Sequence, residues 1–220
     1  MVRKTKEEAS RTRQQIIDAA REVFHQRGVR GSTLEQVASA AGLTRGAVYW
    51  HFKDKAELFM AVREDVFFPV MERIDATLYS TEFTDPLDAI EASIREFFHF
   101  LDACGTLRQV FEVMVLRCEY VDEFAEVQTE VFKPAMEFLE KMENAYRRAA
   151  AAGTLRTGLD PLVAARDTWA FTSGVLHLLL GASGAYAFPT PVAEMVTAHM
   201  AMRRHVCCPA AAKAVAGNAG

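Results

Sequence analysis

The chain has 220 residues, 50% of them apolar and 25% charged, and a formal net charge of −4. This composition excludes a disordered or collagen-like chain, because enough apolar surface exists to offset chain entropy. No 18-residue apolar run and no apolar leader segment occur, so a cytoplasmic protein is expected, with Cys104, Cys118, Cys207 and Cys208 as free thiols.

Apolar residues recur at three and four throughout, which predicts an all-α fold of about nine helices. The first helix is expected over 6–26, burying Ile16, Ile17, Ala20, Val23 and Phe24, with Gly28 as C-cap. Ser32 or Thr33 caps a short helix carrying Leu34, Val37 and Ala38. Gly42 breaks the chain, Thr44 caps a helix over 45–51, and Asp54 opens a long helix to about residue 78. Pro69 should kink that helix or start a new segment. Five further helices are expected at 87–103, 106–119, 121–152, 160–182 and 190–205, punctuated by Gly105, Gly153, Gly158, Pro161 and the Pro189/Pro191 stretch. The Ala/Gly-rich 207–220 segment reads as a disordered tail, with Cys207 and Cys208 at its edge; vicinal cysteines can bind soft metals or sense oxidants, but beside such a tail they read first as incidental thiols.

Charge is unevenly spread. Residues 1–55 hold eleven Lys/Arg and six Asp/Glu, and the rest hold fourteen and twenty-three. A basic head on an acidic body suits a polyanion, although charges also cluster by chance.

Within that head lies a pattern suited to a helix-turn-helix. Two short helices in close contact need a small residue at the touching point, a glycine in the turn and a branched residue on the second helix. Ala38, Gly42 and Val48 supply these, with Val37 and Leu43 completing the inner face. An ordinary helical hairpin fits the spacing too. Thr44, Arg45 and Gly46 would form the exposed first turn of the second helix, whose N-terminal residues reach base edges. Arg45 suits guanine, Thr44 a phosphate or base, and Gly46 permits close approach. Tyr49, His51 and Lys55 suit phosphate oxygens, which position rather than specify. Trp50 and Phe52 are expected to pack against the first helix.

The run 12–58, centred on Leu43-Thr44-Arg45-Gly46-Ala47-Val48-Tyr49-Trp50-His51-Phe52-Lys53-Asp54-Lys55, resembles the DNA-binding domain of the tetracycline-repressor (TetR) family. The opening Arg3-Lys4-Thr5-Lys6-Glu7-Glu8-Ala9 and the mid-chain Arg117-Cys118-Glu119-Tyr120 resemble its multidrug-efflux branch, the AcrR/TtgR kind. The resemblance implies a helix-turn-helix domain over 1–54, a larger ligand-binding and dimerisation domain over 55–206, and a homodimer built by the last two long helices. It implies phosphate contacts by Thr33, Tyr49, His51 and Lys55, and two heads in successive major grooves of a pseudo-palindromic operator. Arg3, Lys4, Lys6, Arg11 and Arg13 would add backbone or minor-groove contacts, giving salt-dependent affinity.

Three body helices carry aromatic and aliphatic faces, and the chain holds fifteen Phe and nine Met. Periodicity alone fits a packed core as well as a repackable ligand surface. The resemblance implies a pocket lined by Ile94, Phe97, Phe111, Met114, Val115, Trp169, Ser173 and His177, coupled to the head through the helix at 55–78. Such a pocket is apolar and suits planar or hydrophobic compounds. His177 is either a ligand donor or a satisfied core histidine. Glu119 is expected to pair with Arg117.

Catalysis has little support. The Glu22/His25 and Glu96/His99 pairs resemble half of a di-iron site, but one falls in the head and one in the body. No nucleophile elbow, P-loop or dinucleotide fingerprint occurs. No enzyme activity, cofactor or metal is expected. A purely protein-binding module would leave Thr44, Arg45, Gly46, Tyr49, His51 and Lys55 unexplained. The expected function is a ligand-released transcriptional repressor of a multidrug efflux operon; activation instead of repression depends on where its site lies.

Overall fold

The structure is a computed structural model that describes residues 6–121, 124–181 and 190–205. Arg3, Lys4, Cys207, Cys208 and the 207–220 segment lie outside the described residues. Nine helices are present among those described: α1 (Lys6–Arg27), α2 (Leu34–Ala40), α3 (Arg45–His51), α4 (Lys55–Leu78), α5 (Pro86–Ala103), α6 (Gly105–Leu116), α7 (Ala125–Ala151), α8 (Pro161–Gly181) and α9 (Val192–Ala201).

Local chemistry sets most boundaries. Thr33 caps α2 through a capping box with Gln36, Thr44 accepts from the Ala47 N–H, and Asp54 accepts from the Glu57 N–H. Each such cap contributes about 1 kcal/mol. Gly28 and Gly42 take φ of +73° and +66°, the left-handed region in which an L side chain is strained. At Gly42 that geometry lets the Leu43 N–H reach the Ala38 carbonyl at 2.9 Å and closes the turn between α2 and α3.

Two apolar clusters organise the chain. The first joins Ile16, Ile17, Ala20 and Phe24 of α1 with Val37, Ala38, Val48 and Phe52, and draws in Leu58, Phe59 and Val62 of α4. The second holds Phe67, Ile74 and Leu78 of α4 with the inner faces of α5, α7, α8 and α9. Helix α4 therefore serves both cores. Helix α6 does so too, giving Val110, Val113 and Met114 to the first and Leu107 and Phe111 to the second. Side chains of this size stabilise by about 1.5–3 kcal/mol each when fully buried, so the two helices are firmly seated at both ends.

Three expectations need correction. Helix α4 runs unbroken through Pro69, and no new segment begins there. Helix α6 stops at Leu116 because the Arg117 carbonyl turns to accept the Val29 N–H at 3.0 Å, a tertiary bond the local pattern does not encode. Glu119 pairs with Arg30 of the head at 2.9 Å, with both side chains exposed, instead of with Arg117. Cys104 and Cys118 are free thiols, and burial pushes Cys118 up to about 11, keeping it a neutral thiol at physiological pH.

Candidate DNA-binding surface and ligand cavity

Helix α3 buries Val48 against α1 and α2 and turns its other side outward. Thr33, Thr44, Arg45, Gly46 and Tyr49 are exposed, and His51 and Lys55 are half-buried. The two threonine hydroxyls accept backbone N–H groups as caps, which fixes their position, and the Thr33 hydroxyl also donates to the Glu35 carboxylate. Arg45 lies over the Tyr49 ring at 5.1 Å, with its Nη2 3.4 Å from the Tyr49 hydroxyl and its Nε 3.0 Å from Glu35. The Tyr49 hydroxyl first, then Glu35, raise Arg45 above the ordinary guanidinium value, so it is a fixed cation. Lys55 Nζ donates to the Ser32 carbonyl at 3.3 Å, which places its charge beside Thr33.

Gly46 has no internal reason to be glycine. Its φ is ordinary, and a Cβ there would meet nothing nearer than Thr44 Oγ1 at 4.0 Å. A helical glycine costs about 0.5–1 kcal/mol relative to alanine. The outer face of α3 is therefore open at this position, with no side chain between its backbone and solvent.

Phe52 packs inward, 1% exposed, with the Arg13 guanidinium 5.2 Å above its ring. Trp50 does not follow it. It is 71% exposed on α3, with its ring edge-on to His51 at 4.5 Å. Phe52 follows the end of α3 in extended conformation, which turns it to the α1 side, whereas Trp50 stays on the outer face of the helix. Arg11 and Arg13 are both exposed on α1.

The body contains an apolar cavity of about 160 Å³. Ile94 and Phe97 of α5, Phe111, Met114 and Val115 of α6, and Trp169, Ser173 and His177 of α8 all line it, so the eight candidate residues come together. Phe111 meets Phe97 at 5.4 Å and Phe67 at 5.8 Å, forming an aromatic wall. Polar groups turn back on their own helices. Ser93 donates to the Ile90 carbonyl, Thr172 to the Thr168 carbonyl, and His177 Nδ1 lies 2.8 Å from the Ser173 carbonyl. His177 is exposed, as is Phe132 of α7, so the cavity opens between α7 and α8 and His177 stands at its edge.

Sequence reasoning missed two walls: Phe67, Met71 and Ile74 of α4, and Val131, Phe132, Ala135, Phe138 and Met142 of α7. Both sets recur at three and four residues, so the signal existed. Helical spacing marks an apolar face without saying whether the face meets another side chain or a void.

Cavity and head are physically linked. The Tyr120 ring touches Phe59 of the head core at 6.4 Å and Phe132 of the cavity at 5.6 Å, and its hydroxyl donates to the Met114 carbonyl at 3.0 Å. His25 of α1 lies 2.6 Å from Glu112 of α6, and Gln14 of α1 donates to Asp65 of α4 at 2.9 Å. In the body Glu96 bonds Thr77 and pairs with Arg73. Among the described residues no three His, Cys, Asp or Glu side chains form a cluster able to hold a metal. No described helix is long and apolar enough to cross a membrane.

Comparison with known proteins agrees with this arrangement. The family model for bacterial regulatory proteins of the tetR family matches residues 16–62, spanning α1 to the first turns of α4. The chain is 34% identical over 177 residues to the HTH-type transcriptional regulator TtgR of Pseudomonas putida, covering 80% of this chain and 84% of that protein. Among solved structures it resembles NalD, the secondary repressor of the MexAB-OprM multidrug efflux pump in Pseudomonas aeruginosa, with a TM-score of 0.79, 31% identity, and coverage of 92% of this chain and 100% of that one. It also resembles SmeT, the repressor of the Stenotrophomonas maltophilia pump SmeDEF, in its complex with triclosan, with a TM-score of 0.71, 35% identity, and coverage of 89% of this chain and 93% of that one. An exposed recognition-type helix on a basic head, an all-helical body and full-length likeness to these regulators together place the chain in the TetR family of bacterial transcriptional regulators.

Proposed function

We propose that this protein represses a multidrug efflux operon by binding a pseudo-palindromic operator as a homodimer, and that a hydrophobic small molecule in the body cavity releases it. The carrying observation is that α4 is shared. Leu58, Phe59 and Val62 seat its first turns in the head core, and Phe67, Met71 and Ile74 line the cavity further along the same rod. Anything that displaces the cavity wall must move the head or strain that helix. Tyr120, wedged between Phe59 and Phe132, offers a second route. An occupied cavity then favours a head spacing unsuited to successive grooves, a population shift set by the ligand's differential affinity.

In this reading Thr44, Arg45 and Gly46 meet base edges, and Thr33, Tyr49, His51 and Lys55 hold phosphates. Residues 1–54 carry the DNA-binding function and 55–206 the ligand and dimer functions, although the head's packing runs on into α4. The dimer forms through α8 and α9, which expose apolar and small residues alongside Arg166, Asp167 and Glu194. Val163, Ala170, Gly174 and Leu178 are exposed on α8, and Ala193, Ala198 and Ala201 on α9. A DNA-bound regulator of this kind works in the cytoplasm. NalD and SmeT repress multidrug pumps and SmeT binds triclosan, which supports both the target class and the effector class.

The test is fluorescence anisotropy of the protein on genomic DNA fragments that it recovers by pull-down, against unrelated DNA, with and without triclosan. Specific binding that weakens with salt and with triclosan is expected. Binding indifferent to sequence would contradict the proposal.

A further inference from the structure

Helix α4 carries a buried charge between the head core and the cavity. Arg63 of α4 is 2% exposed, at the boundary between the two apolar cores. Its guanidinium lies 4.5 Å from the centre of the Phe67 ring and its Nη2 donates to the Val131 carbonyl at 3.1 Å. Both Phe67 and Val131 line the cavity. Its Nε finds no acceptor among the described residues. The acids that act on it most, Glu64 and Glu130, are both exposed, where water screens them. Burial lowers Arg63 below the ordinary guanidinium value, but a guanidinium stays protonated in a protein.

The cavity thus has a cation immediately behind one wall and no carboxylate among the described residues that line it. A buried cationic ligand would have no counter-charge and would face Arg63 through a medium of low dielectric. Aromatic faces attract cations, and Phe97, Phe111 and Trp169 offer such faces. That attraction is smaller than the cost of leaving a charge buried and unpaired. The Phe67 ring is already engaged by Arg63 itself.

We infer that the cavity selects neutral and anionic aromatic ligands and rejects cationic ones, and that Arg63, acting from behind Phe67, is the residue that sets this preference. The inference rests on the cavity being the effector site. Arg63 supplies potential in place of a direct contact, and a carboxylate or phenolate on a planar apolar body is the chemistry it favours.

Three planar compounds of the same shape and different charge test it: 2-naphthoate, 2-naphthamide and 2-naphthamidinium. Each is titrated calorimetrically into the full-length protein at pH 7.5. The carboxylate should bind at least about tenfold more tightly than the amidinium. Arg63→Gln keeps a donor for the Val131 carbonyl and removes the charge. It should collapse the ratio of carboxylate to amidinium affinity towards one and leave the amide within about twofold. Arg63→Lys restores the charge and should restore the ratio, which a purely structural role would not do. An amidinium bound as tightly as the carboxylate, or a ratio unchanged in Arg63→Gln, overturns the selectivity. Failure of all three to bind overturns the effector-site reading itself, and the inference with it.

Discussion

Replacing Gly46 by alanine separates the stability of α3 from its use. A Cβ at this position meets no atom of the protein closer than 4.0 Å, and the backbone is not in the left-handed region. Alanine should therefore stabilise the helix by about 0.5–1 kcal/mol. In a chain of this size 1 kcal/mol corresponds to about 2–4 °C, so thermal denaturation followed by circular dichroism should show a small rise in Tm. Operator affinity should move the other way. A methyl group where the helix backbone approaches DNA should weaken binding by about tenfold, or about 1.4 kcal/mol, measured by anisotropy at fixed salt. A stabilised variant with unchanged affinity would show that Gly46 does not face DNA. A destabilised variant would show that the glycine is there for the fold.

Arg45→Ala should cost about 1–3 kcal/mol of operator affinity and relax preference at one base position, whereas Tyr49→Phe, which keeps the ring under Arg45, should weaken binding evenly across sequences; selection from randomised operators distinguishes the two patterns. Gly174 is exposed on α8 with open space where a Cβ would go, so Gly174→Arg should leave the protomer folded but monomeric in sedimentation velocity, with operator binding reduced at least about a hundredfold; a dimeric Gly174→Arg would refute the α8/α9 interface. His199 is held between the Phe171 ring, stacked at 4.0 Å, and the Thr168 hydroxyl at 3.0 Å, and burial with Arg203 lowers it to about 4. The unfolded chain binds that proton first, so stability is full above pH 6.5 and falls as pH drops towards 4, by on the order of 3 kcal/mol. Urea denaturation at pH 7 and pH 4.5 should show this slope, and His199→Gln should flatten it.

How much of this was legible in the sequence varies with the range of the forces involved. The starts of α2, α3 and α4 follow from Thr33, Thr44 and Asp54, whose side chains each bond the N–H group three residues on. The turn follows from Gly42. The end of α6 does not, because a bond from Val29, far back in the chain, takes the Arg117 carbonyl. Trp50 misleads because it is large and aromatic yet exposed, on the side of α3 that leaves the protein. Arg63 is the hardest case. An arginine followed by Glu64 and Asp65 on a long helix reads as part of a solvated face, and only the packing of Phe67 and Val131 around it reveals a buried charge. The three cavity helices α5, α6 and α8 were found through resemblance, and α4 and α7 complete the walls at spacings that equally describe a filled core.

The central claim is that one chain binds a specific DNA site and lets go when a hydrophobic molecule fills its cavity. The most direct test is to pull down genomic fragments with the full-length protein at moderate salt, sequence them, and repeat with a panel of hydrophobic drugs. The account predicts a pseudo-palindromic site near an efflux operon that is lost with at least one drug. Specific binding that no compound relieves, or recovery of no specific site, would contradict it.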